Sequence, residues 1–181
     1  MKPREVNTNT TEFKSKLEDL MPAEELVFPA SPGFGSYKSI MPPEAVMHPA
    51  KFNVHLVEFL IDKFTKPGNI VLDPMAGTGI LGVIAALRGR NTIQVEIEPR
   101  FYEWMEKARQ NVEKTPTLGR KGWIVNILGD ARKLSELLKQ VGVIVTNYSV
   151  VDAVITSPPY AETISHKSGG PVGLKKWAFQ Q

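Results

Sequence analysis

Cysteine is absent from the chain. That absence excludes disulfides, thiolate metal sites and a cysteine nucleophile. Histidine is scarce: His48, His55 and His166 have no metal-ligand spacing and no accompanying carboxylate cluster, so no zinc or iron site is expected. No run of about 20 apolar residues could span a bilayer, and no early apolar stretch has the form of a secretory signal. The expected location is the cytoplasm, with no membrane partner. Neither sign of charge dominates; the formal net charge of +3 permits nucleic-acid binding without demonstrating it. Internal repeats and low-complexity tracts are missing as well. What remains is 181 residues, 42% of them hydrophobic, enough for one domain with its own core.

The most telling stretch is Thr156-Ser157-Pro158-Pro159-Tyr160, which follows the apolar run Val150 to Ile155. Two adjacent prolines lack N–H groups and hold φ near −65°, so a strand arriving at them must stop and turn. Ser157 and Pro158 bring a hydroxyl and a free carbonyl to that turn, two acceptors able to take both protons of an aromatic amine. Tyr160 offers a flat face for stacking. The amine of a nucleobase is a poor nucleophile because its lone pair is delocalised into the ring. Fixed acceptors favour the pyramidal geometry that frees the lone pair. Alone, the string is equally well a Pro-Pro turn closing a strand.

A second motif stands upstream. Asn69 to Asp73 reads as a short buried strand, followed by the loop Pro74-Met75-Ala76-Gly77-Thr78-Gly79 and the helical run Ile80 to Arg88. Glycines there allow a tight turn and a close ligand, and the helix start presents unpaired N–H groups. The next strand, Asn91 to Ile97, carries Glu96 about 20 residues beyond the loop, where Rossmann-type folds place an acid on ribose hydroxyls. Glu98 is the competing candidate.

The Asp73-to-Gly79 loop, Glu96 and the Ser157-Pro158-Pro159-Tyr160 shelf together resemble the S-adenosylmethionine-dependent amino-methyltransferases that modify DNA bases. The resemblance runs from His48-Pro49-Ala50-Lys51-Phe52, similar to the segment by the methionine end of the cofactor, through Gly129-Asp130, where the family has an acid near the adenine of the cofactor. It covers roughly residues 47 to 160. It implies a doubly wound, mostly parallel α/β sheet, S-adenosyl-L-methionine as cofactor and double-stranded DNA with a flipped target base as partner. Phe52, Asp73, Pro74, Met75, Ala76, Gly77, Gly79, Glu96 and Asp130 are the implied cofactor-binding residues, with Asp73 near the methionine amino group. Ser157, Pro158, Pro159 and Tyr160 are the implied catalytic ones. Ser rather than Asp before the two prolines favours cytosine N4 over adenine N6. Guanine N2 transfer in RNA and a non-catalytic subunit of a split enzyme are the alternatives. Methylation at ring carbon, which uses a cysteine in a related class, is not expected. The transfer needs no strong base, so Asp130 and Asp152 stand as unpaired acids without a required role.

The expected organisation is an N-terminal helix and Pro/Gly-rich segment over 1–46, then a methyltransferase domain over 47–181 that lacks the later strands and target-recognition region of complete members. Phe13, Leu17 and Leu20 share one face of the first helix. The density of Pro and Gly from Met21 to Pro49 predicts a long loop, with Phe34 and Tyr37 plugging the core rather than touching a base. Asn53 caps a helix with a stripe of Leu56, Val57, Leu60, Ile61 and Phe64. Pro99 opens a helix to about Lys114, Trp123 to Leu128 is a third strand, Ala131 to Gln140 a further helix, and Val141 to Thr146 a strand or a loop. Strand and helix alternate, so the sheet should be parallel. Most basic residues, among them Lys63, Lys66, Arg88, Arg90, Arg120 and Lys121, read as solvated; Lys167, Lys175 and Lys176 are the candidates for phosphate contact. The run from Val150 to Thr156 reads as a strand buried on both faces whose edge nothing later in the chain covers. A truncated chain, one half of a split enzyme, or a homodimer completing the sheet would each account for that.

Overall fold

The computed structural model describes residues 27–29, 34–48, 52–140 and 151–158. Four parallel strands form one sheet in the order β3-β2-β1-β4: β1 is Ile70–Asp73, β2 Asn91–Glu96, β3 Ile124–Leu128 and β4 Ala153–Val154. The helices are α1 (Pro43–Met47), α2 (Val54–Phe64), α3 (Ile80–Leu87), α4 (Pro99–Lys114) and α5 (Leu134–Gln140).

Two apolar clusters show that the sheet is covered on both faces. Val71 and Ile155 pack with residues of α2, α3 and α4, while Leu72, Ile93, Val95 and Ile127 pack with Leu137 and Leu138 of α5. Helix α3 is apolar around its whole circumference because it is wedged between β2, α2 and α4, and Ile80 to Ala86 are all buried. Helix α2 begins where the Asn53 side chain accepts the N–H groups of His55 and Leu56. Its stripe is rotated from the expected one: Val54, Val57 and Ile61 are buried, whereas Phe64 is 49% exposed. Phe64 is the last residue of the helix.

The Pro/Gly-rich segment is not a bare loop. Gly35–Ser39 is a 3-10 helix, α1 follows it, and Phe34, Tyr37, Ile40, Met41 and Ala45 join the main cluster. Prolines here punctuate short helices rather than break them, since Pro43 stands at the first position of α1, where its missing N–H costs nothing. Phe34 and Tyr37 are core plugs, 4% and 8% exposed.

Three basic residues differ from a solvated reading; one is half-buried Lys121, which donates to the Val112 carbonyl at 2.7 Å and the Glu113 carbonyl at 3.0 Å. Arg90 is 8% exposed, its guanidinium donating to Thr65 Oγ1 and the Thr65 carbonyl at 3.0 Å each and to the Arg88 carbonyl at 2.7 Å. Arg88 pairs with Glu58 at 2.8 Å and with Asp62. The last strand is also shorter than the apolar run suggested. β4 has two residues, and Val154 is 61% exposed, so this strand is not buried on both faces. Predicted features over 1–26, at 141–150 and from 159 onward lie outside the described residues, including Phe13, Leu17, Leu20, Val141 to Thr146, Lys167, Lys175 and Lys176.

Candidate active site

The site collects at the C-terminal ends of β1, β2 and β4. Asp73 closes β1, and the chain turns through Pro74 and half-solvated Met75 into the glycine loop. Ala76 N donates to the Val95 carbonyl at 2.9 Å, and Gly79 N to the Ala76 carbonyl at 3.0 Å. Those bonds press the loop onto β2. Gly77 and Gly79 have φ of +56° and +78°, a left-handed conformation that side-chain-bearing residues rarely adopt. Their surroundings differ. A Cβ on Gly79 would meet Met105 Cγ at 2.6 Å, whereas a Cβ on Gly77 would meet nothing within 4 Å. Gly79 therefore serves the packing of α3 against α4, and Gly77 borders open space above the loop.

Glu96 ends β2 with its carboxylate turned toward the loop. Oε2 accepts Gly77 N at 2.7 Å, and Oε1 accepts Glu98 N at 2.9 Å. The residue is 8% exposed. Two backbone donors leave part of its acceptor capacity free. Glu98, by contrast, is exposed and serves only as the residue before α4.

Asp73 is 1% exposed and accepts Met75 N at 3.1 Å. Burial pushes its carboxyl up to about 6, the Thr156 hydroxyl and Met75 N–H ease the charge, and Glu96 raises it further. It underlies the loop instead of lining its open side. Phe52 is half-buried against the main cluster. Just before it in the described chain, His48 stands edge-on to Phe101 at 4.9 Å between ring centres.

Asp130 is not an unpaired acid. It follows β3, accepts Arg132 N at 2.9 Å and takes the Arg132 guanidinium as a fork at 2.6–3.0 Å. Those bonds hold its carboxyl down to about 2. Asp152 is also engaged, accepting Ile70 N at 2.7 Å at the start of β1. It pins the two strands at their N-terminal ends, away from the loop. The Asp152 role depends on a backbone N–H 82 residues away that only the folded chain supplies, whereas the Asp130 role is a local cap on the turn that begins at Ala131, a signal an Asp before a helical run carries.

On the other side of Asp73, β4 delivers the shelf. Val71 pairs with Ala153 and Leu72 with Val154, and Ile155 N donates to the Leu72 carbonyl at 3.0 Å. Half-buried Ser157 and exposed Pro158 then follow at the same end of the sheet as the glycine loop. Pro159 and Tyr160 lie outside the described residues.

A parallel doubly wound sheet with a strand, glycine loop, helix and a following strand-end acid is a Rossmann-like arrangement. Residues 12–107, just over half of the chain, match the DNA methylase family model covering N6 and N4 enzymes, and the chain belongs to that family. With the family comes S-adenosylmethionine as cofactor. Among curated relatives, the type II methyltransferase M.HinfI of Haemophilus influenzae is 38% identical over 52 residues, 29% of this chain and 14% of its own length. The type II methyltransferase M.PvuII of Proteus hauseri is 35% identical over 54 residues, 30% of this chain and 16% of its own. The matched stretch thus spans about a seventh of these relatives. A solved S-adenosylmethionine-dependent methyltransferase from Agrobacterium tumefaciens is 22% identical with a TM-score of 0.45, covering 62% of this chain and 34% of that one.

The residues present fit the cofactor. No protein atom stands within 4 Å of a Cβ placed on Gly77, so a ligand can approach the loop backbone there, and the Glu96 carboxylate beside it retains acceptor capacity. Among the described residues no group of three or more metal-ligating side chains is found, and no helix is long and apolar enough to cross a membrane.

Proposed function

We propose that the chain carries the cofactor-binding and catalytic part of a DNA amino-methyltransferase, acting on an exocyclic amine of a flipped base, with cytosine N4 favoured. The observation that supports this most is the β1–β4 pairing, which sets the glycine loop and Ser157-Pro158 at one end of the sheet. S-adenosylmethionine, when bound, supplies a methyl group on a sulfonium, ready for attack by an amine.

In this reading the open face of Gly77, flanked by Pro74, Met75, Ala76 and Gly79, admits the cofactor, and Glu96 accepts its ribose hydroxyls. Buried Asp73 provides negative charge beneath the loop, complementary to a cationic ligand. Phe52 contributes an apolar wall at the methionine end. Asp130 reaches the adenine only once Arg132, the exposed partner of the pair, swings away. The Ser157 hydroxyl and Pro158 carbonyl accept hydrogen bonds from the two N–H groups of the target amine, so its lone pair is free to form the N–C bond as the methyl leaves sulfur, and the extra proton on nitrogen is then lost to solvent. Pro159 stiffens the shelf and Tyr160 stacks on the base.

Double-stranded DNA is the substrate in this proposal. A second copy or another polypeptide joins at β4, which has a neighbour on one side only among the described residues and exposes Val154. Sedimentation equilibrium would reveal such an assembly; a stable monomer that methylates DNA unaided would remove it from the proposal.

The deciding experiment treats DNA with the purified chain and labelled S-adenosylmethionine, then identifies modified nucleosides by mass spectrometry. N4-methylcytosine is the expected product. N6-methyladenine as the sole product would contradict the Ser157 argument, and labelled guanosine from RNA alone would move the substrate class. Cofactor binding without label transfer would favour a non-catalytic subunit.

A further inference from the structure

Two polar groups at the site are matched to each other and to little else. The Thr156 hydroxyl is buried and lacks a full hydrogen bond. The Asp73 carboxyl, almost wholly enclosed, accepts Met75 N and has acceptor capacity to spare. The hydroxyl already lies close enough to favour the ionised carboxyl, at an approach that stops short of complete hydrogen-bond geometry. Around them the backbone is sparsely tied. Ile155 N reaches the Leu72 carbonyl at 3.0 Å, and beyond it Pro158 and Pro159 have no N–H to continue a ladder.

We propose that Thr156 is a positioning residue that couples the glycine loop to the shelf, its hydroxyl donating to the Asp73 carboxylate while Asp73 holds Met75 N at the head of the loop. The inference rests on the methyltransferase reading and adds a residue to it. The groups facing Asp73 are the Met75 N–H from the loop, Glu96 from β2 and the neutral Thr156 hydroxyl from the end of β4. A cationic ligand above the loop favours the ionised carboxyl, a stronger acceptor than the acid form. The bond then closes and draws Ser157, the next residue, into place. Coupling of this kind is reciprocal, so fixing the shelf also favours ligand in the loop.

The test uses the full chain with Thr156→Val, which keeps the shape and removes the hydroxyl, Thr156→Ser, which keeps the hydroxyl, and Thr156→Ala in case the valine variant misfolds. Carbon-13 NMR of the Asp73 carboxyl without ligand should show an inflection near 6 in wild type and Thr156→Ser, and a higher one in Thr156→Val and Thr156→Ala. With S-adenosylhomocysteine added, exchange of the Ser157 amide should slow by about two- to ten-fold in wild type and Thr156→Ser, the range one hydrogen bond allows, and not in the other two. Equal Asp73 titration in wild type and the hydroxyl-free variants, or equal response of the Ser157 amide, would overturn the coupling. If wild type fails to bind S-adenosylhomocysteine, the methyltransferase reading fails, while the titration still decides whether the pair exists.

Discussion

The Glu96 carboxylate accepts the backbone N–H of Gly77 at 2.7 Å, across 19 residues of chain. The acid and the glycine loop are thereby set before any ligand arrives, so ordering costs fall on folding rather than on binding. Replacement of Glu96 by Gln leaves one carbonyl oxygen to serve two N–H donors and turns an amide N–H₂ toward one of them. Calorimetry with S-adenosylhomocysteine should show at least about ten-fold weaker binding, equivalent to about 1.4 kcal/mol. Unchanged affinity would count against the ribose role of Glu96.

The two loop glycines should separate stability from binding. Gly79→Ala forces a Cβ against Met105 at 2.6 Å in a left-handed conformation, and the melting midpoint should fall by the equivalent of about 2 kcal/mol or more. Gly77→Ala meets no protein atom, so its cost is backbone strain of about 1 kcal/mol, yet its methyl enters the proposed cofactor space. A Gly77→Ala chain that binds S-adenosylhomocysteine as wild type does would show that the cofactor lies elsewhere.

Asp73 makes stability depend on pH. Its carboxyl is raised from 3.8 to about 6, so between these values the folded chain holds a proton that the unfolded chain has released. Stability from this group is largest below pH about 4, falls as pH rises through about 6, and stays lower above. Asp73→Asn removes the loss, and urea unfolding at pH 7.5 should show a gain of about 1–3 kcal/mol that vanishes near pH 4. Weaker cofactor binding should accompany it, a trade of function for stability. A variant less stable than wild type at pH 7.5 would refute the charge argument.

Tyr37 donates its hydroxyl to Glu58 at 2.8 Å, and Glu58 pairs with Arg88. Tyr37→Phe keeps the ring in the core and should cost about 0.5–1.5 kcal/mol in denaturant unfolding without changing cofactor affinity. Preserved stability together with weaker DNA binding would instead make Tyr37 a base-contacting group.

Ser157→Ala should lower methyl transfer by about 10²-fold or more while leaving S-adenosylhomocysteine affinity within about two-fold, because in the proposed mechanism the hydroxyl acts on the amine and not on the cofactor. Single-turnover kinetics with labelled cofactor measures the first, calorimetry the second. Equal losses in both would make Ser157 a structural residue.

Local chemistry was legible from the residues alone. Asn53 caps α2, and Pro99 and Lys114 bound α4, because caps and proline act within a turn or two of their own position. The strand, glycine loop and helix from Ile70 to Leu87 follow from apolar runs and from glycines that tolerate positive φ. Long-range partners decided the rest. Whether Arg90 is solvated depends on Thr65 reaching it from the end of α2. Asp152 and Asp130 looked alike as free acids until the fold put Ile70 N against one and Arg132 formed a fork with the other. Sequence determined most of the strands, turns and helices from Asn53 to Gln140, where those preferences are set by neighbours in the chain, but not the short helices of Gly35–Ser39 and Pro43–Met47, which form against the core. Only the tertiary structure decided that Glu96 meets the Gly77 N–H and Asp152 the Ile70 N–H, because those partners come together from 19 and 82 residues away.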